Sequence, residues 1–322
     1  MSAEDRTRGA LVTGGAGFIG GHLAEGLLAA GWSVRVLDDF SSGRESNLAG
    51  CGGRIDLVRG DIRDPDTLAR ALDGAEVVFH HAAVASVPRS VAEPLRTNSV
   101  NLGGTLSVLE TARAAGVRRV VYAASSSAYG DTRVLPKVES MRATPLSPYA
   151  LQKFAGEEYC RLYDALHGLE TVSLRYFNVY GPRQDPESEY AAVIPRFVTA
   201  ALSGAAAEIH GDGEQTRDFV FVGDAVEANL LAADAKTASG RMVNIASGRR
   251  TSLNQLWEEI CDLVGVTLDA RYAAPRPGDV RDSLASVEQA GKLLGYEPSV
   301  DLREGLRQTI ESFRKTRESE RG

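Results

Sequence analysis

The stretch Thr13-Gly14-Gly15-Ala16-Gly17-Phe18-Ile19-Gly20 limits what this chain can fold into more than any other. It joins an apolar run, Ala10 to Val12, to an amphipathic one, Ile19 to Ala30, and sets Gly14, Gly17 and Gly20 at three-residue spacing. The first run reads as a buried strand and the second as a helix. Glycine permits the tight turn, lets backbone approach a pyrophosphate and brings helix onto strand. The helix N-terminus adds free N–H groups and the positive end of a dipole, so the junction is an anion site made of backbone. Because a chain with 33 glycines produces such spacings in ordinary turns, position carries the weight. Here the turn is the first strand–helix junction, and Asp38 closes the next strand 24 positions after Gly14, where an acid that accepts ribose hydroxyls belongs. Together these features specify a nicotinamide dinucleotide. A carboxylate at that place repels a 2′-phosphate by about 1–4 kcal/mol near 4 Å, which favours NAD over NADP, although Arg35 and Arg44 lie close in sequence. Asp61, in Gly60-Asp61-Ile62 after the third strand, caps either the adenine amino group or the next helix.

The alternation continues through the first half. Val34 to Leu37, Ile55 to Val58, Val77 to Phe79 and Val120 to Ala123 read as strands, with helical patterns at Pro65 to Leu72 and Val100 to Ala115 between them. Parallel strands covered on both faces read as continuous Val/Ile/Leu runs, and right-handed crossovers wind such units into one sheet. After about Tyr176 turn-rich sequence takes over, as in Gly181-Pro182, Asp185-Pro186 and Gly211-Asp212-Gly213. The expected class is α/β: a doubly wound parallel Rossmann-type sheet with a smaller C-terminal α/β substrate-binding domain. Residues 1–177 form the dinucleotide-binding domain, to which part of 219–246 returns, and residues 178–322 form the second.

Charge narrows the partners. The 36 Lys and Arg against 43 Asp and Glu give a net charge of -7, which argues against nucleic acid or an anionic membrane as the main partner. Cys51, Cys160 and Cys261 are too few and too widely spaced for a disulfide framework or a metal knuckle. His22, His167 and His210 show no metal spacing, so no metal is expected. Met1 to Arg8 lacks the apolar core of a signal peptide, and no 18-residue apolar stretch follows. A cytoplasmic protein that neither spans nor binds a membrane is expected.

Tyr149 and Lys153 stand four apart in Ser147-Pro148-Tyr149-Ala150-Leu151-Gln152-Lys153, at the start of a helix, which puts both on one face. Upstream, Ala124-Ser125-Ser126-Ser127 leaves the end of a buried strand, where such sheets present their ligand-binding edge. A phenol with reference pKa about 10 must fall toward 7 to serve as a base, which asks for about 4 kcal/mol of phenolate stabilisation. Lys153 and an oxidised nicotinamide are the cations that would supply it. The bland alternative is a serine cluster that caps a turn and an exposed Tyr/Lys pair.

With Thr13 to Gly20, Ser125 and Tyr149-x-x-x-Lys153 in order, the chain resembles the extended short-chain dehydrogenase/reductase family from about residue 9 to 310. Within it, the chain is most similar to nucleotide-sugar 4-epimerases of the UDP-galactose 4-epimerase group. The segments that carry this are Ala124 to Asp131, Leu174 to Gly181, Gly211 through Phe219, and Arg276-Pro277-Gly278-Asp279. The resemblance implies Ser125, Tyr149 and Lys153 as catalytic residues. It implies NAD held by Gly14, Gly17, Phe18, Ile19, Gly20, Asp38, Asp61, Ile62, His81, Ala82, Ala83, Tyr149, Lys153 and Tyr176. It implies a UDP-sugar met by Ser126, Ser127, Asn178, Val193, Arg217, Arg276, Asp279 and Ser283, with the arginines on the diphosphate and Asp279 on the uridine ribose. The strand-end pair His80 and His81 is expected to line the nucleotide pocket through backbone.

Relatives that dehydrate or decarboxylate the sugar usually carry carboxylates where Ser126 and Ser127 stand, and a hydroxyl cannot replace them as a base. Epimerisation at C4 needs no extra acid: by the resemblance, Tyr149 would take the hydroxyl proton as the C4 hydride passes to NAD, the 4-keto sugar would rotate, and hydride and proton would return to its opposite face. Ser283 falls where glucose/galactose-restricted relatives place a bulky Tyr, and Gln184-Asp185-Pro186 with Tyr190 to Pro195 looks like the branch that handles N-acetylhexosamines. This implies UDP-GlcNAc/UDP-GalNAc as substrates, with UDP-Glc/UDP-Gal open as a further pair. The corresponding uronic acids, whose carboxylate Arg183 or Arg196 would meet, are the rival; a reductase or a non-catalytic dinucleotide sensor is the second alternative. The family's common Lys after the fourth strand is replaced by Ala85. Helices at Val100 to Ala115 and Tyr149 to Leu166 carry apolar faces of the kind that commonly make a four-helix homodimer interface in this family, and core packing explains the same pattern.

Overall fold

The computed structural model describes residues 8–186, 192–275 and 280–319. Its first half runs β1 (Gly9–Thr13), α1 (Phe18–Ala29), β2 (Ser33–Asp38), β3 (Ile55–Arg59), α2 (Pro65–Leu72), β4 (Val77–His80), α3 (Val87–Ala92), α4 (Pro94–Asn98), α5 (Thr105–Ala114), β5 (Arg119–Ser125), α6 (Pro148–His167) and β6 (Glu170–Tyr176). The second half adds β7 (Asn178–Tyr180), α7 (Val193–Leu202), β8 (Glu208–His210), β9 (Thr216–Arg217), β10 (Phe219–Phe221), α8 (Val222–Asp234), β11 (Arg241–Ile245), β12 (Thr251–Ser252), α9 (Leu253–Val264), β13 (Arg271–Ala273), α10 (Glu288–Leu294) and α11 (Leu302–Ser319).

Seven strands form one parallel sheet in the order β3-β2-β1-β4-β5-β6-β11. The order reverses at β1, where β4 rather than β3 takes the other side, so the C-terminal ends of β1 and β4 open a crevice. The inner strands β1, β4 and β5 are largely apolar runs because both faces are covered, whereas the edge strand β3 is half exposed. One face packs Leu23, Leu27, Ala228 and Ala232 of α1 and α8; the other packs Leu68, Val108 and Cys160 of α2, α5 and α6. A third core, with Phe197 on α7, Trp257 on α9 and Ile310 on α11, builds the smaller body beyond the sheet.

Local chemistry sets the ends of α6. Ala150 N–H donates to Ser147 Oγ at 3.1 Å, Pro148 opens the first turn, and Gly168 closes the helix in the left-handed region at φ +69. The helix expected from Val100 to Ala115 is divided: Ser99–Gly104 forms a π-helical turn and α5 begins at Thr105. Asn101 turns its side chain onto the backbone of Val84, and a Cβ at Gly104 would overlap Ile62, so this stretch is shaped by its neighbours rather than by its own periodicity.

Candidate active site

The Gly-rich turn and the strand ends β1, β2, β4 and β5 wall a cleft of about 1180 Å³. Gly14 sits at φ +70, and a Cβ there would lie 2.6 Å from Ala82 N. At Gly20 a Cβ would overlap the Gly14 carbonyl. Among the described residues no side chain caps α1 at Gly17, so its first-turn N–H groups open toward the cleft. Asp38, 7% exposed, accepts from Ala16 N at 2.9 Å and Phe40 N at 2.8 Å. It therefore holds the turn while lining the cleft, and burial pushes its carboxyl up. A backbone cradle that any Cβ would fill, beside an acid at the strand end, fits a dinucleotide.

Gly17, Phe18, Ile19, Ile62, Ala82, Ala83 and Tyr176 line the same cleft, as do Asp61 and His81. Asp61 faces Arg63 through a 2.5 Å ion pair, which holds its carboxyl below the usual range. The His81 ring stacks on Tyr176 with centroids 6.0 Å apart, and its Nε2 lies 3.2 Å from Asn229 Oδ1. Burial pushes that ring down to about 4, so it is neutral. Asn229, fully buried on α8, also donates to Tyr176 Oη at 2.6 Å.

Ser125, Tyr149 and Lys153 meet at the floor of the cleft. Tyr149 is hydrogen-bonded to Ser125, but burial dominates and the phenol lies above its ordinary value. Lys153 Nζ donates to Ala123 O at 2.8 Å, and burial pushes its ammonium down to about 8. The protein's own groups thus leave the phenol raised, against the lowered value that a base requires. Ser127 Oγ lies 2.8 Å from Ser125 Oγ. Ser126 and Ser127 stand in the turn immediately after β5.

A branch of the cleft lies under the smaller body, walled by Asn178, Val193, His210 and Arg217. Arg217 donates to the Thr216 and Arg281 carbonyls at 2.9 and 3.2 Å. Ser283 is tied to Thr216 through backbone at 3.1 Å, outside the walls of cleft and branch. Arg276 and Asp279, and the segment around Tyr190, lie outside the described residues.

Several contacts at the cleft are announced by no motif. Residues 181–186 form a strap whose Arg183 to Pro186 line the cleft. The Pro182 carbonyl accepts from His22 Nε2 at 2.9 Å, and Arg183 forks onto Glu25 at 2.5 and 2.9 Å and donates to His22 Nδ1 at 2.7 Å. Asp185 pairs with Arg44 at 2.6 Å. Arg183 holds φ +65, a conformation costly for a side-chain-bearing residue. Of the two arginines expected to meet a uronate carboxylate, Arg183 lines the cleft while paired with Glu25, and Arg196 lines the branch, 4.0 Å from Glu208.

A sequence profile of the NAD dependent epimerase/dehydratase family matches residues 10–246. The chain belongs to that family. This member is similar to the UDP-glucose 4-epimerase of Mycolicibacterium smegmatis, at 43% identity over 94% of this chain and 98% of the other. Among solved structures, the UDP-N-acetylglucosamine 4-epimerase of Methanobrevibacter ruminantium, in complex with UDP-N-acetylmuramic acid, matches with a TM-score of 0.92 at 39% identity, covering 97% of this chain and 99% of that one. The UDP-glucose 4-epimerase of Thermotoga maritima with UDP-glucose matches at 0.91 and 41%, covering 96% and 99%. Both alignments embrace the family's dinucleotide half and the smaller body beyond it. Among the described residues no group of His, Cys, Asp and Glu is arranged to hold a metal, all three cysteines are free and buried, and no helix is long and apolar enough to cross a membrane.

Proposed function

We propose that this family member is an NAD-dependent UDP-hexose 4-epimerase acting chiefly on UDP-GlcNAc/UDP-GalNAc, with UDP-Glc/UDP-Gal as a further pair. The observation that carries the reading is the meeting of Ser125, Tyr149 and Lys153 on the floor of a cleft whose far wall is the Gly-rich cradle. Gly14, Gly17, Gly20 and Asp38 would hold NAD, which when bound accepts a hydride from the sugar C4, returns it to the opposite face and brings a cationic ring to the site. Tyr149 holds and moves the C4 hydroxyl proton, and Ser125 steadies the same oxygen. Lys153, an ammonium below pH about 8, favours the phenolate. Ser126 and Ser127 in place of carboxylates leave no base to strip a C5 proton, which supports inversion over dehydration or decarboxylation.

The uronic acid reading stays the alternative: Arg183 is engaged with Glu25, while Arg196 lines the branch, where a carboxylate would meet it. Asn178, Val193 and Arg217 at the branch, with Arg276, Asp279 and Ser283, are assigned to the UDP part and the sugar. We divide the chain at 177/178, with part of 219–246 returning to the dinucleotide half; this is supported by β11 standing at the edge of the main sheet. A cytoplasmic homodimer accords with three free thiols and with exposed Val91, Leu95, Leu151, Leu162 and Leu166 on α3, α4 and α6.

The test is direct. Purified protein is acid-denatured and its supernatant assayed for NAD, then UDP-GlcNAc, UDP-Glc and UDP-GlcA are supplied separately and their C4 epimers sought. Stoichiometric NAD and a GalNAc product are expected; an empty protein that consumes added NADPH overturns the reading.

A further inference from the structure

An unbroken chain of buried hydrogen bonds runs from the Gly-rich turn to the helix that carries Tyr149. Its directions follow from chemistry. Thr105 Oγ1 lies 2.6 Å from the Asn101 carbonyl, which can only accept, so the Thr105 hydroxyl donates there. Its oxygen then accepts from His80 Nε2, 2.9 Å away. His80 Nδ1, left as the acceptor, takes the Thr13 hydroxyl at 2.7 Å. One neutral tautomer, protonated on Nε2, satisfies both sides, in keeping with a ring whose burial holds it uncharged.

On the other side, Asn101 Oδ1 accepts from Val84 N at 2.7 Å, and its Nδ2 donates to Val84 O at 3.1 Å and to Gln152 Oε1 at 2.8 Å. Both amide hydrogens are used. Gln152 Nε2 donates in turn to Thr97 Oγ1 at 3.1 Å, and the Thr97 hydroxyl to the Glu93 carbonyl at 3.1 Å. Every side chain in the series is buried, none more than 3% exposed. Gln152 neighbours Lys153 on α6, and Asn101 sits in the π-helical turn, a break in helical regularity of the kind that recurs at functional sites.

Apolar side chains would fill these positions without the requirement that every polar group find a partner. What directional bonds add is a fixed distance between the elements they join. We propose that His80 and Gln152, joined through Asn101, are positioning residues for proton transfer at Tyr149. The chain sets the depth of α6 against the turn that holds the dinucleotide, so Tyr149 and Lys153 meet the sugar in one geometry. The bracket on Val84, which lines the cleft, fixes the facing wall to the same frame. This inference rests on the catalytic reading of Tyr149 given above.

The test measures kcat and KM for the UDP-sugar, bound NAD and Tm in Gln152→Met, His80→Phe, their combination, and Tyr149→Phe. Met keeps the length of Gln152 without its hydrogen bonds, and Phe keeps a ring against Tyr122, now 5.7 Å away. A displacement of about 1 Å at reacting groups costs about a hundredfold. Each network variant is expected to lose tenfold to about a hundredfold in kcat, with KM and NAD content unchanged. The double variant should fall no further than the worse single one, because a chain broken once has little left to lose. Should Gln152→Met fail to fold, Thr105→Val breaks the same chain at its middle and is expected to give the same split. An unchanged kcat with a lowered Tm, or losses that multiply in the double variant, overturns the inference while an inactive Tyr149→Phe leaves the catalytic reading standing. An active Tyr149→Phe overturns the catalytic reading itself.

Discussion

Replacing Lys153 by Met should make the protein more stable and nearly inactive at once. The ammonium is fully buried, and its proton is bound at about 8 in the folded protein against an ordinary 10.5. At about 1.36 kcal/mol per pH unit, carrying that charge costs the folded state about 3 kcal/mol. The cost is fully present below pH 8, shrinks as pH rises from 8 to 10.5, and is absent above. Met removes it, while the Ala123 carbonyl loses a donor worth about 1 kcal/mol, leaving a gain of about 2 kcal/mol at pH 7. The check is urea unfolding of NAD-stripped wild type and Lys153→Met at pH 7, 9 and 10.5. The variant's advantage is expected at pH 7 and should vanish toward pH 10.5, while kcat at pH 7 falls by about 10²–10⁴. A variant less stable than wild type at pH 7, or an advantage independent of pH, would refute the reasoning.

Other substitutions probe the remaining parts. Tyr149→Phe should lower kcat by about 10²–10⁴ with bound NAD unchanged, as read by product formation and cofactor release. Gly14→Ala forces a side chain into a left-handed backbone 2.6 Å from Ala82 N, so the purified protein should contain little NAD. Arg183→Ala and Arg44→Ala loosen the strap; both should speed NAD loss on dialysis and leave the kcat of the loaded enzyme close to wild type. Ser283→Tyr should suppress turnover of UDP-GlcNAc more than that of UDP-Glc in parallel assays; equal effects would remove Ser283 from the account of specificity.

Most of the sheet was legible because buried parallel strands write themselves as apolar runs, and the Gly-rich turn because a close backbone approach admits only glycine at Gly14 and Gly20. Ser125, Tyr149 and Lys153 were legible as a spacing on one strand end and one helix face. Periodicity could not reveal the π-helical turn, whose cause is a side chain of residue 101 reaching the backbone of residue 84. Asn229 left one faint sign, a lone amide inside the apolar run of α8. The strap's segment stood out as Gly181-Pro182 and Gln184-Asp185-Pro186, but its anchoring did not: Arg183, Glu25 and His22 are distant in sequence, and any surface arginine looks the same before folding. The raised phenol of Tyr149 was hidden for a similar reason, since spacing reports which groups meet and not how deeply they are buried.

The strap also has a consequence for biosynthesis. Its anchors, His22, Glu25 and Arg44, emerge from the ribosome long before residues 181–186, although all belong to the wall of one cleft. A nascent chain that has completed β1 to β6 already carries the residues of the cradle and Asp38, yet lacks the strap. Only the later arrival of Pro182, Arg183 and Asp185 completes that wall.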